Sequence, residues 1–178
     1  MIRILFLAAN PTDQFRLQLR REFDALRQAL DAAPQGRRFH LIQEFAVAAD
    51  GLQELLVRHQ PQIVHFSGHG VEEGLLFEAA DGRSQRVAPA TLRDLFAGFR
   101  KTVRCVVLNA CYSQQHADAI ATVIDSVVGM SDALTDDAAL AFATAFYRAL
   151  ANSATLAAAM ALGRNQIDLQ DLDEAHQP

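Results

Sequence analysis

Two hydrophobic patterns alternate along the chain. Short apolar blocks give way to apolar residues recurring every three or four positions, and then the blocks return. "IRILFLA" (2–8) is nearly continuous and predicts a buried strand, followed by the turn "NPTD". Phe15, Leu19, Phe23, Leu26 and Leu30 repeat at helical spacing and predict a helix over 14–31. "PQGRR" breaks the chain, and "FHLIQEF" (39–45) predicts a second strand. A short helix follows at 50–59, closed by Pro61, and then a third strand, "QIVHFS" (62–67). "GLLFEAADGRSQRVAP" (74–89) places "ADG" between two short extended runs, a hairpin signal. Pro89 opens a helix carrying Leu92, Leu95, Phe96 and Phe99.

"RCVVLN" (104–109) is the fourth main strand. A helix over 113–121 comes next, with Ser113 as its expected N-cap, and then a fifth strand within 122–130. Two alanine-rich helices close the pattern. The first, at 136–151, carries Asp136 and Asp137 in its first turn. The second, at 153–168, has Ser153 as its expected cap. Near-continuous apolar strands alternating with helices predict an α/β fold with a mostly parallel sheet covered on both faces.

Ligand sites in such sheets lie beyond the carboxyl ends of the strands. The third strand ends in "SGHG", which sets His69 between two glycines. The fourth ends in "NACYS", which delivers Cys111 just before a helix. A helix N-terminus favours the thiolate form of a cysteine. A cysteine nucleophile also needs a base and an oxyanion hole. His69 can supply the base, and the N–H groups of Gly70 and Cys111 the hole. Cys105, inside the apolar run, is read as a buried hydrophobe instead. Cys105 and Cys111 stand ~20 Å apart on an extended strand, too far to pair.

Composition narrows the function classes. The 178 residues favour one domain with a sizeable core, and 51% hydrophobic with 21% charged residues suits a folded chain. A net charge of -5 with scattered basic residues argues against direct nucleic-acid binding. No apolar run reaches the roughly 20 residues that span a bilayer, so no membrane partner is expected. The two cysteines form no disulfide framework, which fits a cytoplasmic location.

"HFSGHG" followed by "LNACYS" resembles the caspase-like (clan CD) cysteine peptidases, and most closely the bacterial CHAT domains related to caspases and separase. "VVGM" and "AFATAFYRAL" (141–150) extend the likeness, so that it covers roughly residues 1–168. The resemblance implies a caspase-like three-layer sandwich. It implies His69 as general base, Cys111 as nucleophile and Gly70 as an oxyanion donor, with no cofactor. The implied activity is cleavage of a protein substrate, under control of a regulatory domain or activating partner. The acidic, polar tail at 169–178 is read as a linker to such a domain.

Asp13 and Asp132, in the loops after the first and fifth strands, are candidate substrate-binding residues. Either would favour Lys or Arg before the scissile bond. Asp132 has the better case, since "GMSDALTD" resembles a separase-like stretch that carries a pocket aspartate. An apolar residue there stays open, with Ala133 and Leu134 adjacent.

Three other readings compete. A catalytically silent caspase-like signalling or scaffold module would use the same cleft. A metal-binding hydrolase would draw on His65, His69, Cys111 and His116, without a helical H-x-x-x-H or a C-x-x-C to support it. His65 is otherwise read as a satisfied strand histidine and His116 as an exposed helix residue. A flavodoxin-like nucleotide binder would want a glycine-rich loop where "NPTDQF" has none.

Overall fold

The structure is a computed structural model that describes residues 1–170. Five parallel strands form the main sheet: β1 (Ile2–Ala8), β2 (Phe39–Phe45), β3 (Ile63–Ser67), β7 (Cys105–Asn109) and β8 (Ser126–Val128). Their spatial order is β2-β1-β3-β7-β8. Between β3 and β7 the chain inserts a small antiparallel sheet of β4 (Gly70–Val71), β5 (Gly74–Glu78) and β6 (Ser84–Val87). This is the expected hairpin with one extra short strand.

Side-chain alternation along the strands builds two cores. Leu5, Leu7, Val64, Phe66, Val106 and Leu108 face one way. They pack against α2 (Leu52–His59), α3 (Pro89–Phe99) and α4 (Gln114–Ala121). Ile4, Phe6, Ile63, Cys105 and Val107 face the other way, against α1 (Leu19–Asp31), α5 (Asp136–Ala151) and α6 (Leu156–Leu169). The result is the expected three-layer α/β sandwich, with the sheet buried on both faces.

Several local expectations are corrected. α1 starts at Leu19 rather than near residue 14, so residues 9–18 form a loop at the carboxyl end of β1. The fifth strand shrinks to Ser126–Val128. Ser113 makes no capping bond to α4; its hydroxyl donates to Leu108 O at 3.0 Å and accepts from Met130 N at 2.9 Å. It thus ties the end of β7 to the segment after β8. α6 starts at Leu156 and is capped by Thr155, which accepts from Ala158 N, while Ser153 turns the chain at φ 69°. Thr135 caps α5 in the same way, accepting from Ala138 N. α6 continues to Leu169, one residue into the expected tail, and the rest of that tail from residue 171 lies outside the described residues.

His116 is also corrected. It is 1% exposed on the inner face of α4, and its Nε2 lies 3.0 Å from Val87 O and 3.3 Å from Leu75 N. Burial holds its pKa below the ordinary value, against the opposing bond to Val87. His65 lies in the other core, stacked on Phe6 at 5.1 Å. The sheet therefore separates two of the four metal-ligand candidates.

Candidate active site

Two neighbouring parallel strands carry the site. β3 and β7 pair in register, with Ser67 opposite Asn109. Each strand then releases its chain at the carboxyl edge of the sheet, and two residues later stand His69 and Cys111. Both side chains line one cleft, with Glu22, Ser67, Asn109 and Leu134.

Close backbone contact joins the two loops. A Cβ added to Gly70 would lie 2.0 Å from Cys111 O, so only glycine lets the chains approach this closely. Leu76 N donates to His69 O at 3.0 Å, which makes Gly70 and Leu75 a non-hydrogen-bonded pair of the β4–β5 ladder. The Gly70 N–H is therefore not used by that hairpin. Neither is the Cys111 N–H used by α4, which begins at Gln114. After Cys111 the chain turns through Tyr112 in a left-handed conformation, φ 51°.

The imidazole and the thiol each have a fixed neighbour. His69 Nε2 lies 2.6 Å from Phe15 O, in the loop after β1. A carbonyl only accepts, so Nε2 carries a hydrogen, and in the neutral ring the lone pair is on Nδ1. Cys111 Sγ accepts from Leu134 N at 3.3 Å and lies 3.6 Å from Leu134 O. Tyr112 N donates to Asp132 O and Gln114 N to Met130 O, so the 129–135 segment is stitched to the cysteine turn.

The aspartates fall elsewhere. Asp13 Oδ1 and Oδ2 each accept from Ser84, at 2.9 Å. Desolvation raises its pKa, but the Ser84 bonds and the Arg83 charge outweigh this and hold the carboxyl below its usual value. Asp132 is exposed, accepts from Ser131 Oγ at 2.7 Å, and lines a separate hollow with Met160 and Arg164. Neither aspartate lines the cleft that holds His69 and Cys111. Among the described residues, no three His, Cys, Asp or Glu side chains form a metal-holding group.

Sequence reasoning missed the floor of the cleft. Glu22 projects from α1 at 6% exposure. Its carboxylate accepts from His65 Nε2 at 2.9 Å, from Asn109 Nδ2 at 2.8 Å and from Ser67 Oγ. The signal was present: Glu22 sits on the buried stripe Leu19, Phe23, Leu26 and Leu30, where an unpaired charge would be costly. The Phe15 carbonyl left no such signal, because backbone atoms carry no residue code.

Comparison with known proteins places the chain in a family. The family model of the CHAT domain matches residues 6–178. The chain belongs to the CHAT domain family. It is 28% identical over 159 residues to a Roc-COR-CHAT protease from an unknown prokaryotic organism, a match covering 85% of this chain and 15% of that protein. It is also 28% identical over 152 residues to a probable protease from Gillisia limnaea, covering 84% of this chain and 27% of that one. This CHAT chain thus spans between about a seventh and about a quarter of the length of those curated relatives. Among solved structures, the pyridoxal kinase from Staphylococcus aureus in complex with pyridoxal matches over 92% of this chain and 85% of that one. Its 12% identity and TM-score of 0.42 are too loose to carry an argument. Among the described residues, no helix is long and apolar enough to cross a membrane.

Proposed function

We propose that this CHAT domain is a cysteine endopeptidase that cleaves a protein partner through His69 and Cys111. The observation that carries the reading is the shared cleft, in which a thiol and an imidazole whose neutral form has its lone pair on Nδ1 stand at the ends of adjacent strands. The protease names of two relatives support it.

In this reading His69 Nδ1 takes the Cys111 proton and the sulfur attacks the scissile carbonyl. The carbonyl π pair moves to oxygen, where the N–H groups of Gly70 and Cys111 receive it. Each such donor is worth roughly 3–4 kcal/mol where it has been removed from other enzymes. The C–N bond then breaks, and the amine leaves with the proton from His69. Water, deprotonated by the same imidazole, releases the acyl group and restores the thiol. Phe15 O holds the ring upright throughout and stabilises the imidazolium by accepting from Nε2.

The contact between Cys111 Sγ and Leu134 supports a further step, activation. The sulfur is held by the 129–135 segment, so a neighbouring domain or partner that moves this segment would free it to meet His69. The same contact favours the second reading, a silent signalling or scaffold module in which the sulfur never leaves Leu134. A thiol-reactive probe separates the two. Selective labelling of Cys111 over Cys105, lost in His69→Ala, supports the peptidase. Equal inertness of both thiols, with the protein's full-length context restored, supports the scaffold.

A further inference from the structure

The His69 ring meets a carbonyl that its own residue does little to secure. Phe15 lies in irregular chain between β1 and α1, and its side chain, 92% exposed, gives the backbone almost no anchorage. Yet Phe15 O stands 2.6 Å from His69 Nε2. The anchors lie on either side of it. Asn10 closes the loop from within: its Nδ2 donates to Leu17 O at 3.2 Å and its Oδ1 accepts from Leu17 N at 3.3 Å. Just before Phe15, both carboxylate oxygens of Asp13 accept from Ser84 at 2.9 Å, one from the backbone N–H and one from the hydroxyl. Thr12 donates its N–H and its hydroxyl to Gly82 O, at 2.8 and 3.1 Å.

These outer bonds end on the β5–β6 hairpin, and the same hairpin holds His69. Leu76 N, in β5, donates to His69 O at 3.0 Å. Glu78 and Ser84 are cross-strand partners, and each grips the loop. Glu78 Oε1 accepts from Asn10 N at 2.9 Å, beside the bonds of Ser84 to Asp13. The backbone of His69 and the loop that meets its ring are therefore fixed to one piece of antiparallel sheet. Arg83 Nε stands 3.9 Å from Asp13 Oδ2 and is exposed, so it adds only a screened attraction. The two bonds to Ser84, rather than the charge, are what Asp13 brings to the loop.

We propose that Asp13 is a positioning residue for the general base: through Ser84 it sets the Phe15 carbonyl against which the His69 ring is aligned. The proposal rests on the peptidase reading. It gives Asp13 a part in activating the thiol, in place of the contact with substrate expected from its position after β1. Alignment matters because Nδ1 must meet the Cys111 proton at hydrogen-bond distance, and a group about 1 Å out of place costs roughly 100-fold in rate. Asparagine would keep the clasp, with Oδ1 accepting from Ser84 N and Nδ2 donating to Ser84 Oγ. Alanine would lose it.

Asp13→Ala and Asp13→Asn in the full-length protein test this. The first readout is the nitrogen resonances of the His69 ring, assigned by their loss in His69→Gln and recorded at about pH 8.5, where an imidazole is ordinarily neutral. The native chain and Asp13→Asn should show the Nε2–H tautomer, with a slowly exchanging proton. Asp13→Ala should mix the two tautomers and speed that exchange at least about tenfold, the scale of one lost hydrogen bond. The second readout is alkylation of Cys111 by iodoacetamide, followed by mass spectrometry. Asp13→Ala should slow it about tenfold or more, and Asp13→Asn by less than about twofold. If Asp13→Ala does not fold, Ser84→Ala, which removes one of the two bonds, should move both readouts in the same direction. An unchanged ring signal in the alanine variant, or an Asp13→Asn variant as impaired as Asp13→Ala, overturns the positioning role. The peptidase reading survives those outcomes as long as native Cys111 is alkylated faster than in His69→Gln. Equal alkylation of Cys111 in the native chain and in His69→Gln overturns that reading and the proposal with it.

Discussion

Cys105 and Cys111 belong to the same strand and its exit, yet their surroundings differ completely. Cys105 lies in the core between the sheet and α5, in one cluster with Phe146 and Val107, and desolvation pushes its thiol up to about 12. Cys111 stands past the strand's last residue, half-buried, with a backbone N–H aimed at its sulfur and an imidazole in the same cleft. Six positions along one chain separate an inert hydrophobe from a candidate nucleophile. The strand's direction decides which is which: only its carboxyl edge opens onto loops that bring other groups to the sulfur.

Removing each sulfur should break the comparison most sharply. Cys111→Ala should reduce cleavage of the protein's substrate by several orders of magnitude, the scale seen when a covalent nucleophile is lost. Its thermal transition should stay close to that of the native chain. Cys105→Ala should do the reverse, keeping turnover within about threefold and costing about 1–2 kcal/mol of stability from a small core void. Turnover measured beside a denaturant melt reads both effects. Comparable activity loss in the two variants would sink the assignment of Cys111.

The next test acts on the approach of the two loops. Gly70→Ala would drive a methyl group into Cys111 O, a backbone atom that cannot move away alone. A displacement of about 1 Å at the nucleophile should lower kcat by about 100-fold. Gly98→Ala is the matched control, since nothing lies within 4 Å of its added Cβ near the exposed end of α3. It should leave kcat unchanged and stabilise the fold by about 0.5–1 kcal/mol. A kcat for Gly70→Ala within twofold of native would mean that the loops do not need this contact.

Much of this was legible before any coordinates. The bounds of β1 and α5 follow from the apolar pattern to the residue, because a continuous apolar block marks a doubly buried strand and small-residue periodicity marks a packed helix; those of β2, a half-exposed edge strand, match as well. The neighbourhood of His69 and Cys111 was legible too, since parallel strands deliver their ends to one edge. Less was readable where tertiary contacts override local signals. Phe15 fits a helical repeat but lies in the loop, 92% exposed, with its carbonyl 2.6 Å from His69 Nε2. Ser113 looks like a cap and instead bridges β7 to Met130. His116 reads as a wet helix residue, but the inserted hairpin covers it. The carboxylates show the same limit. Asp13 and Asp132 stood at the right edge of the sheet by position, while the one in the cleft comes from a helix face, a placement that depends on how α1 packs.

The smallest effect expected is alkaline, and it reads the buried thiol by thermodynamics rather than by reactivity. The unfolded chain ionises Cys105 at an ordinary 9.0, whereas the native state holds the proton to about 12. Below pH 9 both states are protonated and the contribution of this burial is fully present. Above it the unfolded state binds fewer protons than the native one, so stability falls as pH rises, by up to about 1.4 kcal/mol per unit. Tyr147, raised well above its ordinary 10.0 by burial and then by the charges of Cys105 and Glu22, steepens the fall above pH 10. Measurements between pH 8.5 and 10 therefore report mainly on Cys105, with an expected loss of about 1 kcal/mol. Cys105→Val, which keeps the volume and removes the proton, should flatten that slope. Urea melts at half-unit intervals of pH give the slopes directly. No flattening in Cys105→Val would show that burial of this thiol in the core is not what sets the alkaline fall.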